Sequence, residues 1–138
     1  GVTQMQRIEE LLAKRAQVAN WYDERMQEIP AVERYTIEPA TTRMSWFVYV
    51  IKFAQGIDRD AVAHALDEAG IPVRPYFAPI HLQPYMIERF GYRPGDFPIT
   101  EALGAHSLAI PFSSVMTEGM VEQVCRILRE ILQSGMQK

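Results

Sequence analysis

IPVRPYFAPIHLQPYMIERFGYRPGDFP, residues 71–98, divides this 138-residue chain into its structural parts. It carries six of the nine prolines (Pro72, Pro75, Pro79, Pro84, Pro94, Pro98) and six of the fourteen aromatic residues. Each proline fixes φ and removes a backbone donor, so most of the run is excluded from regular helix and from a central strand. The residue before each proline is also driven toward extended conformations. A stiff, irregular segment with aromatics, a guanidinium (Arg74) and an imidazole (His81) can form the wall of a binding site. It can equally be a well-packed connection, and the residues alone leave both readings open.

On its N-terminal side the chain alternates strand and helix patterns. Ser45–Phe53, SWFVYVIKF, is aromatic and β-branched almost throughout and reads as a central strand covered on both faces. Gly56 breaks it. Asp58 is placed to cap a helix over 59–69, whose stripe Val62, Ala65, Leu66, Ala69 faces inward and which Gly70 stops. Ile71–Val73 then begins a second strand. Upstream, residues 2–28 read as one long amphipathic helix with Ile8, Leu11, Leu12, Ala19, Tyr22 and Met26 at helical spacing, and residues 30–44 as irregular.

On the C-terminal side, Pro84–Phe90 reads as a short helix and 91–95 as a turn. A helix over 98–107 is expected to turn Ile99, Ala102, Leu103 and His106 inward. Ser107–Ile110 is a third strand. A last helix, capped by Thr117, carries Val121, Val124, Cys125, Leu128, Ile131 and Leu132 on its apolar face. The pattern predicts one α+β domain: a small antiparallel sheet of about three strands packed against helices.

Composition narrows function. A net charge of −3 with scattered cations gives no nucleic-acid footprint. No apolar run reaches the length of a membrane-spanning helix. The single cysteine permits no intrachain disulfide and fits a reducing compartment. The glycines form neither GxGxxG nor GxxxxGK, which argues against a Rossmann or P-loop nucleotide site. His64, His81 and His106 share no metal-ligand spacing with each other or with Cys125. His64 reads as a surface residue and His106 as a packed or capping one. His81 differs, because it sits inside the rigid segment beside Leu82-Gln83-Pro84, and it is the histidine that stands as a candidate ligand contact.

Arg74, at a strand end beside Pro75, suits bidentate capture of a carboxylate or phosphate, or pairs with a surface acid. Neither Lys14, Lys52 nor Lys138 has the setting of a Schiff-base lysine. Asp96 and Glu101 sit near turns and helix starts, where capping explains them. The residues alone therefore describe an α+β domain with a candidate anion-binding wall and no complete active site.

Several blocks, in order, resemble a known family. GVTQMQRIEELLAKRAQVANWYDERM, SWFVYVIK, RDAVAHALDEAGIPVRPYF, PIHLQPY, GYRPGDFPITE and LAIPFSSVMTEGMVEQV resemble the C-terminal part of the DegT/StrS-type sugar aminotransferases, pyridoxal-phosphate enzymes of fold type I. The resemblance implies that residues 1–138 are a single C-terminal small domain. Residues 2–28 would be the helix linking it to a large cofactor-binding domain that precedes residue 1. The fragment would lack the Schiff-base lysine and be inactive alone.

The implied activity of the full-length parent is transfer of an amino group from glutamate to a nucleotide-linked keto sugar, with pyridoxal phosphate as cofactor, in a cytoplasmic homodimer. By position in the family blocks, Arg74, Tyr76, His81, Gln83 and Tyr85 would bind substrate. Arg74 and Tyr76 stand where relatives often have a histidine–tyrosine pair, and Phe47 where many carry histidine. A sugar dehydratase or regulatory relative and a stand-alone binding or dimerisation module are the alternatives. An isolated small domain is also expected to self-associate through apolar residues of the first helix, Ile8, Leu11 and Tyr22.

Overall fold

The computed structural model describes residues 2–135. Its centre is β2 (Tyr49–Phe53), whose residues Tyr49, Ile51 and Phe53 are buried while Val50 and Lys52 are half-buried. β2 pairs antiparallel with β1 (Val32–Arg34) on one side and β4 (Ser107–Ile110) on the other. β3 (Arg74–Pro75) pairs antiparallel with β4, so the sheet order is β1-β2-β4-β3. The central placement of β2 agrees with its apolar run, and the sheet is small and antiparallel as the pattern predicts. It has four strands rather than three.

The extra strand, β1, lies in a segment the sequence presents as irregular. Three residues, two of them charged, are too short for an alternation signal. Glu33 lies directly opposite Lys52, and its carboxylate accepts from Lys52 Nζ at 2.5 Å. Charged, very short edge strands are a usual way to protect a sheet edge. At the opposite edge, β3 begins three residues later than the expected start at Ile71, and Pro75, which has no N–H to donate, is tolerated there because the strand is at an edge.

One face of the sheet is covered by α2 (Ile8–Met26), α3 (Arg59–Glu68) and α6 (Glu118–Gly135), with α6 packed against both α2 and α3. Tyr22, Met26, Ile51, Phe53, Leu66, Leu108, Val121 and Leu128 form the fully buried core. Burial of side chains this size stabilises by roughly 1.5–3 kcal/mol each. Tyr22, expected to need an outside partner, is wholly buried instead. Its ring stacks on Tyr49 at 4.8 Å, and its hydroxyl donates to the Pro111 carbonyl at 2.6 Å.

The expected single helix over 2–28 is interrupted at Arg7, whose ψ of 10° leaves the helical range, so that α1 (Val2–Gln6) and α2 are separate. α3 has the ends its sequence calls for. Asp58 accepts from the Asp60 and Ala61 amides at 2.9 and 3.0 Å, and Gly70, at φ +78°, closes the helix. The amides of Ile71 and Gly70 bond back to the Leu66 and Asp67 carbonyls at 2.9 Å each.

α4 (Pro84–Phe90) and α5 (Pro98–His106) fall where expected, but the orientation of α5 does not. Ile99, Ala102 and Leu103 face outward, with Ile99 77% exposed. The face turned toward the molecule carries Glu101 and Gly104. A Cβ at Gly104 would lie 3.1 Å from the Pro79 ring and 3.3 Å from the Phe77 carbonyl. That close approach orients α5, and apolar periodicity does not register it.

Candidate functional site

A cleft of about 640 Å³ opens on the face of the sheet away from the α2–α3–α6 layer. The chain entering β2 supplies one wall, with Ile37, Met44, Trp46 and Phe47. The other is made by Tyr76–Ile80 and by Leu103 and Gly104 of α5. Its floor includes Val50 and Ser107, so the second face of β2 is lined by a cleft rather than covered. A volume of this size, largely apolar with a few polar groups, is typical of sites that bind organic ligands or bury another protein segment.

Two aromatic residues at the walls adopt left-handed backbone, Trp46 at φ +47° and Phe77 at φ +56°. Such conformations cost a bulky residue on the order of 1 kcal/mol or more and persist where surrounding contacts over-determine them. For Trp46 those contacts are Tyr49 at 5.7 Å and Phe112 at 6.5 Å, ring to ring. Phe77, 70% exposed, rests on Tyr76 at 4.5 Å.

Several polar groups of the cleft are already paired. Asp23 accepts from the Tyr49 hydroxyl at 2.6 Å and lies 3.6 Å from the Arg34 guanidinium. The Tyr35 and Ser107 hydroxyls are 2.5 Å apart. Beneath the floor, Arg59 donates to the carbonyls of Gly104 and Ser107 at 3.2 and 3.1 Å, tying α3 to the junction of α5 and β4. Burial, and secondarily the Asp23 carboxylate, raises the Tyr49 phenol far above its ordinary range.

Of the five residues the sequence singles out, Tyr76 lines this cleft and the other four do not. Arg74 is exposed on β3, and among the described residues it has no ion pair or side-chain hydrogen bond. Tyr85 is 61% exposed in the first turn of α4. Gln83 stands at the N-cap of that helix without a side-chain capping bond. His81, in a 3₁₀ turn over Ile80–Leu82, is only 6% exposed. Its Nε2 is 2.9 Å from Glu101, and Phe97 packs on its ring at 4.7 Å. His64 is on the surface, 3.5 Å from Glu68.

Glu101 has more than a capping role. Its carboxylate accepts from the Gly95 amide at 2.9 Å with both oxygens and from the Phe97 amide at 3.2 Å, besides meeting His81. The Gly95 amide is the largest influence and holds its pKa below the usual carboxylate range; desolvation opposes it, and His81 and the Phe97 amide add smaller lowering effects. The spacing from GDFP to the following acid was its one signal in the sequence. Trp46 and Phe77 gave none, because left-handed backbone at an aromatic residue has no composition cue.

No described lysine fits a covalent cofactor site. Lys14 is paired with Glu10 at 2.6 Å on an exposed helix face, and Lys52 with Glu33. The Glu33 hydrogen bond raises the Lys52 pKa, the opposite of what a Schiff-base amine needs. Gly1 and Lys138 lie outside the described residues. Burial pushes the Cys125 thiol up to about 12, which makes it a poor nucleophile. Among the described residues no group of three His, Cys, Asp or Glu side chains could hold a metal ion, and no helix is long and apolar enough to cross a membrane.

These features define a class: an α+β domain with an apolar cleft and an aromatic wall. The chain belongs to the DegT/DnrJ/EryC1/StrS aminotransferase family, whose model matches residues 1–129. It is 29% identical over 134 residues to GDP-perosamine synthase of Caulobacter vibrioides, covering 96% of this chain and 35% of that protein. It is 28% identical over 139 aligned positions to the spore coat polysaccharide biosynthesis protein SpsC of Bacillus subtilis, covering 98% of this chain and 36% of the relative. The fold matches that of PseC from Helicobacter pylori, an aminotransferase involved in the biosynthesis of pseudaminic acid, with a TM-score of 0.86 at 18% identity. That match covers 96% of this chain and 36% of PseC. The chain thus spans about a third of the length of these proteins.

Proposed function

We propose that this chain is the small C-terminal domain of a pyridoxal-phosphate-dependent sugar aminotransferase and closes one side of a cleft whose chemical half lies in the rest of the protein. The observation that carries this reading is the family match along residues 1–129 by a chain spanning about a third of its relatives. The full-length enzyme moves an amino group from glutamate to a keto group on a nucleotide-linked sugar. Its cofactor, bound outside these residues, supplies the electron sink, and this domain supplies binding and orientation. The 138-residue chain alone is inactive.

Arg74, Tyr76, Gln83 and Tyr85 make up the substrate side of the domain, with the buried His81 behind them. Arg74 is suited to an anionic group, because it is exposed, unpaired among the described residues and held on stiff backbone beside Pro75. Tyr76, at the cleft wall, and Tyr85, on the surface of α4, offer faces for a sugar or base. The apolar rim formed by Phe47, Phe77, Ile80 and Leu103 suits contact with the cofactor-binding part of the protein.

The test is Arg74→Ala in the full-length protein, assayed with glutamate and with nucleotide-linked keto sugars. Loss of one charge-assisted pair predicts an apparent affinity about tenfold weaker or more for one of the two substrates. Unchanged affinity for both would remove Arg74 from the site. A lysine at the end of a strand upstream of Gly1 supports the aminotransferase reading, histidine in that place favours a dehydratase, and a start codon close to Gly1 favours a stand-alone module.

A further inference from the structure

α4 carries Tyr85 and is capped by Gln83, two of the proposed substrate residues, yet no residue of the helix is buried. A helix of seven residues with no core contact is not held in place by its own packing. Its N-terminal end continues directly from the 3₁₀ turn at Ile80–Leu82, and the Met86 and Ile87 amides bond to the Gln83 carbonyl at 2.9 and 3.1 Å. The anchor of that turn is His81, buried under Phe97 and held at Nε2 by Glu101. Glu101 in turn gathers the Gly95 and Phe97 amides, so one carboxylate fastens the 3₁₀ turn, the 95–97 turn and α5 together.

We propose that Glu101 is a positioning residue that, through His81, fixes Gln83 and Tyr85 in the orientation that receives the substrate. This rests on the small-domain reading above and adds a residue to it. His81 then acts from beneath the site as a strut. The Gln83 side chain, free of any capping bond, and the exposed Tyr85 ring are the groups it presents.

The experiment uses the full-length protein with Glu101→Ala, Glu101→Gln and His81→Phe, read by steady-state kinetics and by amide hydrogen exchange. Glutamine keeps one acceptor oxygen toward His81 and Phe97 but sets an NH₂ against the Gly95 amide, so its effect is intermediate. Misplacement of a binding group predicts KM for the keto sugar raised about tenfold in Glu101→Ala, with kcat at saturating sugar within about twofold. Exchange should accelerate at the Leu82, Gln83, Met86 and Ile87 amides as well as at Gly95 and Phe97. Combining Glu101→Gln with His81→Phe should cost no more than the worse single change, because the two act through one contact.

An unchanged KM in both Glu101 variants overturns the proposal. So does acceleration confined to Gly95 and Phe97. If Glu101→Ala does not fold, the glutamine and phenylalanine variants decide. A wild-type protein that turns over no nucleotide-linked keto sugar would sink the aminotransferase reading instead, and the exchange pattern alone would then decide whether Glu101 holds α4.

Discussion

Tyr22 and Tyr49 stack on each other and each donates one hydrogen bond, but to acceptors in different settings. Replacing either by phenylalanine keeps the ring, the stack and the buried area, and so isolates the hydroxyl. The Tyr22 hydroxyl donates to the Pro111 carbonyl at 2.6 Å, from a side chain with no exposed surface. No other described donor reaches that carbonyl. Tyr22→Phe therefore leaves the carbonyl of half-buried Pro111 without a protein donor, at a cost of about 1–3 kcal/mol.

The Tyr49 hydroxyl donates to Asp23, whose side chain is 36% exposed and retains Arg34 at 3.6 Å and access to water. Tyr49→Phe loses one bond without stranding its partner, at a cost nearer 0.5–1 kcal/mol. Urea unfolding followed by tryptophan fluorescence measures both, since Trp46 stacks on Tyr49. With a slope of about 2 kcal/mol/M, the Tyr22 variant should lose about 0.5–1.5 M in midpoint and the Tyr49 variant less than about 0.5 M, with slopes unchanged. An equal or larger loss for Tyr49→Phe would refute the argument that exposure of the acceptor sets the cost.

Leu66→Ala, at a site with no exposure, should destabilise by about 2–5 kcal/mol in the same assay, whereas Ile99→Ser, 77% exposed, should stay within about 0.5 kcal/mol; a comparable loss at Ile99 would mean that α5 turns inward after all. At high pH, burial keeps the Tyr22 and Tyr49 phenols and the Cys125 thiol protonated in the folded state, while the unfolded chain releases those protons near 10 and 9. Stability is thus full below about pH 9 and falls as pH rises, because the unfolded state then binds fewer protons. Their phenolate absorbance should appear only with unfolding, and ordinary titration of all six tyrosines in folded protein would contradict this. At low pH the sign reverses for Glu101, whose lowered pKa contributes stability that is present above the unfolded value of 4.5 and lost as pH falls through the folded one. Amide exchange at Gly95 and Phe97 should lose protection in that window relative to the Leu66–Ile71 helix closure, and parallel loss at both places would refute a local effect.

Where the fold was legible in sequence, one local cause was sufficient. Asp58 and Gly70 bound α3 because a cap and a left-handed stop act within a few residues. SWFVYVIKF led to a central strand because an apolar run has to be covered. The failures share a different cause. β1 exists only as a partner of β2 and carries no pattern of its own. α5 turns the opposite way from its apolar stripe because a glycine, approached by Pro79, and a carboxylate saturated by backbone amides make a better inward face than Ile99 and Leu103. Tyr22 was expected to need an outside partner because nothing in its helix indicates the Pro111 carbonyl far along the chain.

The same reasoning accounts for what was legible of the site. The proline-rich segment could be recognised as rigid from φ alone, and rigidity is a property of each proline separately. Which of its residues face outward depends on what holds the segment, and that is a question about partners. His81 reads as a ligand contact when only its neighbours in sequence are considered. Against Glu101 and Phe97 it becomes a buried strut, and the exposed positions pass to Gln83 and Tyr85. The cleft itself was illegible because its walls come from three separated stretches, and two of its aromatics, Trp46 and Phe77, owe their orientation to left-handed backbone, which at Trp46 the Tyr49 and Phe112 rings brace. A side chain aimed by such backbone should lose its orientation when the contact is removed. Phe112→Ala, which takes away one of the rings against Trp46, should therefore blue-shift or red-shift the Trp46 emission at a cost of about 1–3 kcal/mol for a half-buried ring. The shift should persist in a Trp21→Phe background, which leaves Trp46 as the sole emitter. Emission unchanged in that background would mean that the backbone, rather than its aromatic neighbours, fixes this wall of the cleft.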